Sequence, residues 1–261
     1  MFIKLLSDTL KKAAWFSYAM RVIHERVEAD VDVTLPQSLL ERLPERVALF
    51  TTAQLLHRYE DMASQLEAAG KTVVRIKTIH TREPGQLLGC NLQPFKDYTD
   101  EVFDCCLYVG DGLFHPKALL WKNDVPSFMY NPFTKEESEA SEKDVARIRR
   151  RHAAALAAFR QARTVGVIIP LKPGGQLYLK WALDLAKRYP DKRFVNLVDY
   201  NVDFQGLENF PSCEVFVNTA CPRMAFDDAS KLPRPVVNLE DVSEDFYRKQ
   251  LSARDIPGRQ A

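Results

Sequence analysis

RVALFTTAQLLHRYEDMASQLEAAGKTVVRI (residues 46–76) decides the fold, because its parts spell one strand–helix–strand unit. Val47–Phe50 is a short apolar run, as expected of a strand covered on both faces in a parallel sheet. Residues 53–69 carry apolar positions at helical spacing, and Gly70 stands where a helix C-cap places a left-handed residue. Thr72–Ile76 begins a second strand. The same grammar returns in TVGVIIPLKPGGQLYLKWALDLAKRYPDKRFVNL (residues 164–197). Likewise DCCLYVGDG (104–112) sits where SCEVFVNTA (212–220) sits. A duplicated α/β unit is the economical reading.

Working outward, further strands are expected at 105–109 and 125–129, with a helix at 116–121 between them. PFTKEESEASEK (132–143) is polar and nearly free of apolar side chains, so it reads as a linker. A long helix over 142–162 follows, then strands at 164–169, 193–198, 214–218 and 236–237, with helices at 175–188 and 203–209. Before the first unit, Phe2 to Glu28 has apolar residues at helical spacing. Val31 and Val33 hint at a short strand, and residues 36–43 at a helical turn closed by Pro44. The expected architecture is α/β, with two similar three-layer units of mainly parallel strands and an N-terminal helical extension. Residues 1–45 would form the N-terminal helix and the remnant of a first domain. Residues 46–138 and 139–261 would form two α/β domains.

Composition narrows the function. The chain has 261 residues, with 36 Lys+Arg against 35 Asp+Glu; that balance excludes disorder by charge and argues against nucleic-acid binding through bulk positive charge. No span approaches the roughly 20 unbroken apolar residues that cross a bilayer. The N-terminal helix has no cleavage site after an apolar core, and it reads as an amphipathic helix rather than a signal peptide, with a membrane-surface role as the alternative. Five Cys at irregular spacing make a disulfide scaffold a poor fit and point to a reducing, cytoplasmic setting.

Ligands in parallel α/β units gather beyond the C-terminal ends of the strands. Three segments fall there: Gly110-Asp111-Gly112, residues 172–176 (KPGGQ) and residues 218–223 (NTACPR). The glycines either make turns or expose N–H groups to an anion, and neither loop spells a dinucleotide fingerprint. Cys105, Cys106 and Cys213 read as packed thiols of apolar strands, with the adjacent pair pointing to opposite faces. Cys90 and Cys221 lie in loops near the ligand edge, so each is either incidental or a metal ligand. Asp111 and His115 are polar contacts for a small molecule, or His115 is a helix-cap residue. Arg223 pairs with a carboxylate in bidentate geometry or forms a surface ion pair. His24, His57, His80 and His152 form no ligand set. Arg147, Arg149, Arg150 and Arg151 read as a solvated helix face or a local patch for an acidic partner.

Three segments together resemble the diphthamide synthase family: Leu88-Gly89-Cys90 after Glu83-Pro84-Gly85-Gln86, YVGDGLFHP (108–116), and NTACPR with MAFD (218–227). The resemblance covers about residues 30–240, in the right order. It implies three similar α/β domains around a cleft, each giving one Cys thiolate to a [4Fe–4S] cluster whose open iron binds S-adenosylmethionine. It further implies release of a 3-amino-3-carboxypropyl radical that attacks a histidine ring carbon of translation elongation factor 2. By motif, Cys90 and Cys221 would be cluster ligands. Gly110, Asp111, Gly112, His115 and Arg223 would lie by the cofactor.

The chain departs from that pattern at its front, where no Cys precedes Cys90, and in the loop PLKPGGQ (170–176). Three accounts follow. A partner chain supplies the missing domain and thiolate; the cluster has a non-Cys ligand or is absent; or the chain is a shortened product. All three leave an apolar domain edge, so a homologous subunit or self-association is expected. The rival functions are a non-catalytic subunit that docks a complete homologue, and a related enzyme acting on a small-molecule acceptor.

Overall fold

The computed structural model describes residues 27–243 apart from 79, 80, 82, 93, 113, 122 and 172–178. β1 (Arg46–Thr51) is buried at every position after Arg46, which demands cover on both faces. It is flanked in parallel by β2 (Thr72–Val74) and β3 (Cys105–Val109). β4 (Ser127–Asn131) extends the sheet in parallel, and β5 (Glu136–Glu139) closes it antiparallel, in the order β2-β1-β3-β4-β5. The second sheet is wholly parallel: β6 (Thr164–Pro170), β7 (Arg193–Asp199), β8 (Val215–Asn218) and β9 (Val236–Asn238), in the order β7-β6-β8-β9. Both sheets thus wind the same way about their first strand. This is the α/β architecture of two sheet cores flanked by helices.

Side-chain alternation divides each core in two. Val47, Leu49, Cys105 and Leu107 face one layer, and Ala48, Phe50, Cys106 and Tyr108 face the other. In the second sheet Val165, Val167, Val215 and Val217 oppose Ile168 and Phe216. The principal covering helices are α1 (Gln37–Arg42), α2 (Tyr59–Ala68), α3 (Glu142–Gln161) and α4 (Leu179–Arg188). Two short ones, α5 (Arg223–Asp227) and α6 (Leu239–Val242), follow β8 and β9.

Several local expectations change. Residues 31–33 form no strand. Val33 and Leu35 lie in irregular chain instead, buried with Leu39 and Leu43 against the first sheet. The linker stretch holds β5, a strand that hydrophobic patterning cannot reveal because all four of its residues are polar and none is buried. Its glutamates are held by Arg42, whose guanidinium reaches Glu137 and Glu139 at 3.1 Å each. Charged residues on an edge strand also discourage pairing with another chain. The segments expected as helices at 116–121 and 203–209 are 3-10 turns, Pro116–Leu120 and Gly206–Asn209. The helix expected from residue 53 starts as a 3-10 turn at Leu56–Arg58, and α2 proper begins at Tyr59. The helix expected over Phe2–Glu28 falls almost wholly outside the described residues, as do residues 172–178.

Gly85 ties the first unit together. Its φ is +78°, and a Cβ there would lie 2.0 Å from the Tyr59 ring. Gly85→Ala therefore combines a left-handed backbone with a steric clash and should cost about 2–4 kcal/mol of stability, read as a lowered denaturation midpoint with unchanged slope. A variant as stable as the parent contradicts this account of the turn.

Candidate functional site at the junction of the two sheets

Where a sheet winds in opposite directions from its first strand, the loops leaving neighbouring strands part and open a crevice. Here that crevice falls between β1 and β3 in one unit and between β6 and β8 in the other. At the first, the Thr51 hydroxyl donates to the Val109 carbonyl at 2.7 Å. Backbone bonds from Thr51 N–H to Gly85 O and from Leu87 N–H to Thr51 O, both 2.8 Å, lay residues 85–87 across the strand end. The buried Asn91 then closes a turn: its Oδ1 accepts Leu88 N–H at 2.8 Å, and its N–H donates to Leu88 O at 2.9 Å. That turn presents Cys90, which is half-buried.

The neighbouring loop is set by glycine. A Cβ on Gly110 would lie 2.6 Å from the Tyr108 hydroxyl, and Gly112 takes a φ of +62°. Asp111 and Gly112 stand exposed, while the Tyr108 hydroxyl donates to the Asp111 carbonyl at 3.2 Å. His115 precedes the 3-10 turn without capping it by its side chain. Its ring lies parallel to Tyr108 at 6.4 Å and edge-on to Phe114 at 5.4 Å.

At the second crevice two buried asparagines do the shaping. Asn218 and Asn238 end the paired strands β8 and β9 in register. Asn218 Nδ2 donates to Asn238 Oδ1 at 2.8 Å and to the Cys221 carbonyl at 2.9 Å, and Asn238 Nδ2 donates to the Pro222 carbonyl at 3.1 Å. This amide pair holds the Cys221 turn, whose side chain is exposed, at the strand ends.

The two crevices meet through α5. Phe226 is buried in the first unit's core, edge-on to Trp121 at 4.9 Å. One turn earlier, Arg223 is 3% exposed and places its guanidinium 4.5 Å from the Phe114 ring and 4.7 Å from the Phe226 ring. Its Nε donates to Asp227 Oδ2 at 2.8 Å, and Nη2 lies 2.6 Å from the same oxygen without hydrogen-bond alignment. The carboxylate is thus gripped at one oxygen rather than in a two-oxygen fork. Nη1 reaches the Gly89 carbonyl in a long contact of 3.5 Å. Residues flanking Cys90 and Cys221 are therefore in contact across the junction.

Electrostatics agree with that placement. Burial pushes the Cys90 thiol up, and the Cys221 thiolate pushes it the same way, while Arg223 opposes them. Burial lowers the His115 pKa and Arg223 lowers it further, against Asp111, so the ring is neutral at neutral pH. The remaining cysteines are packed in the cores: Cys105 and Cys106 in β3 and Cys213 just before β8 are fully buried, with Cys105 pushed up to about 12 by burial. Among the described residues no group of three His, Cys, Asp or Glu side chains could hold a metal ion. A cleft of about 830 Å³ borders α5, lined by Lys117, Trp121, Arg147, Arg151, His152 and Asp227. Its lining includes neither Cys90 nor Cys221, so this cleft and the thiol junction are separate. His152 packs on Trp121 at 4.6 Å and lies 3.2 Å from Asp241, while Arg149 pairs with Asp124 at 2.7 Å.

Sequence reading missed Asn218, Asn238, Phe114 and Phe226. The asparagines carried one usable signal, each ending an apolar strand where a polar side chain must find buried partners.

Paired doubly wound sheets with cysteine-bearing loops meeting at their crevices define the class of protein. A family model described as "Putative diphthamide synthesis protein" matches residues 10–244, and the chain belongs to that family. The 2-(3-amino-3-carboxypropyl)histidine synthase of Pyrococcus horikoshii is 31% identical over 206 residues, covering 78% of this chain and 58% of that protein. Subunit 1 of the Homo sapiens 2-(3-amino-3-carboxypropyl)histidine synthase is 27% identical over 245 residues, 92% of this chain and 53% of that protein. The crystal structure of Dph2 from Pyrococcus horikoshii superposes with a TM-score of 0.67 at 27% identity, covering 87% of this chain and 65% of that one. A second structure of it, with a 4Fe-4S cluster, gives 0.61 at 25% identity, covering 84% and 60%. The chain spans a little over half the length of these curated relatives.

The coupling of the two thiols is open to titration. Removing an anion that raises a neighbour's pKa must lower it, so Cys221→Ser should move the pH profile of Cys90 alkylation by iodoacetamide to lower pH. Burial should still hold it above the profile of an exposed thiol. A Cys90 profile indifferent to Cys221 contradicts the shared location.

Proposed function

We propose that this chain is part of a diphthamide-synthase-like enzyme, with Cys90 and Cys221 giving two thiolates to a [4Fe–4S] cluster. A partner subunit or second copy completes the site. The reaction is transfer of the 3-amino-3-carboxypropyl group of S-adenosylmethionine to a histidine of elongation factor 2. The observation that carries this reading is the contact between the Gly89–Cys90 turn and the Cys221–Arg223 turn through Arg223 and Phe114. Family membership and the cluster named for the solved relative support it.

The donor set fits iron–sulfur ligation in part. Soft thiolates at the ends of two separate sheets suit a cluster held in a crevice. Cys105 and Cys106 lie within β3 and Cys213 is buried just before β8, so none of these three thiols is offered to the crevice. When bound, the cluster would supply the open iron that holds S-adenosylmethionine and the electron that frees its aminocarboxypropyl group. The chain's own residues do the holding and screening. Backbone turns at Gly110 and Gly112 let the loop approach a ligand closely, and Asp111 offers an anion to a sulfonium or ammonium group. The neutral His115 ring, packed against Tyr108 and Phe114, helps close the crevice to water. The human relative's name as a subunit supports a partnered assembly.

A second reading, a non-catalytic subunit docking a complete homologue, is favoured by the supply of only two loop thiols. Anaerobic iron and sulfide reconstitution with such a homologue separates the two. The enzyme reading expects a brown complex with ~4 irons per cluster, lost on Cys90→Ala or Cys221→Ala while partner binding persists. Iron content and partner binding that ignore both substitutions support the docking subunit and contradict the enzyme reading.

A further inference from the structure

We infer that Arg223 is a positioning residue: a buried clamp that sets the separation of the Cys90 and Cys221 loops. The inference rests on the two-thiolate reading above. Its geometry is that of a strut rather than a ligand-binding group. The side chain is 4% exposed, and its guanidinium is approached by Phe114 from the first unit and Phe226 from its own helix. Asp227 takes the Nε side, which leaves the Nη1 end to reach across to the Gly89 carbonyl. The contact across the junction lands beside both loop thiols: Gly89 adjoins Cys90, and Arg223 itself follows Cys221 by two.

Gly89 completes the arrangement. A Cβ there would sit 2.2 Å from Phe114 Cε1, so the absence of a side chain is what lets the ring lie against this turn and meet the guanidinium. A desolvated cation between aromatic rings is held more strongly than one at the surface, because water no longer competes for it. The planar fork is also essential. A Lys ammonium would reach neither the second ring nor the carbonyl with the same stem. Arg223 therefore acts through the two cysteines, and its loss widens their spacing without removing either.

Dibromobimane tests this directly, since it becomes fluorescent only when both of its arms alkylate thiols close together. Cys105, Cys106 and Cys213 are fully buried, so in the folded full-length chain Cys90 and Cys221 report. The parent should bridge. Arg223→Met should slow bridging about tenfold, with Arg223→Lys between the two, while a monofunctional maleimide still labels both loop thiols and the melting transition stays cooperative. Equal bridging in the parent and a folded Arg223→Met protein overturns the inference. A parent that does not bridge contradicts the two-thiolate reading itself, whatever the variants do. If Arg223→Met fails to fold, Phe114→Leu replaces it, because Phe114 is 53% exposed and contributes one ring face of the clamp. Slowed bridging then supports the clamp, and unchanged bridging in folded Phe114→Leu overturns it.

Discussion

The insertion of Phe226 into the first unit's core is the interaction on which the junction depends. α5 follows a strand of the second sheet, yet its phenylalanine is counted among the buried residues around Phe50, Tyr108 and Trp121. Burying such a ring is worth roughly 2–3 kcal/mol. The ion pair that also spans the junction, Lys117 to Asp227 at 3.9 Å, involves two partly exposed groups and contributes at most about 1 kcal/mol. Apolar insertion therefore outweighs charge in fixing how the sheets meet. Ile148 of α3 packs on the same core from the second unit, which gives the contact breadth as well as depth.

From that constraint the site follows in steps. Both sheets open crevices at the carboxyl ends of their first and third strands, and α5 carries the second crevice's loop up to the first. Buried polar groups then hold the loops to their sheets. Thr51 spans β1 and β3, Thr219 donates to the Ile168 carbonyl at 2.7 Å, and the Asn218–Asn238 pair grips the Cys221 turn. Each is a hydrogen bond made where water is excluded, so an unpaired partner would be costly. This rigidity suits a site whose donors come from distant parts of the chain.

Much of the fold was legible because apolar runs of strand length alternate with helical spacing, as in Val47–Phe50 and Val165–Ile169. The succession of strands and helices along the chain, the paired units and the crevice loops followed from that rhythm, while the order of strands within each sheet came only with the structure. What stayed hidden was polar or long-range. β5 consists of three glutamates and a serine and shows no hydrophobic signature. Val33 is buried yet belongs to no strand, so its apolar side chain alone did not mark one. At the site, the cysteine turns were readable from motif resemblance. The resemblance also implied that the two turns meet, but not the contacts that bring them together: Phe226 entering the other unit's core and Arg223 finding a carbonyl 134 residues away. No local pattern encodes a partner at that distance.

The central claim is that the Cys90 and Cys221 loops share one location in the folded chain. Nitroxide labels on the two loop thiols, read by continuous-wave electron paramagnetic resonance in frozen solution, measure it most directly. The account predicts strong dipolar broadening that vanishes when either cysteine is replaced by serine. A doubly labelled spectrum equal to the sum of the two singly labelled ones would contradict it.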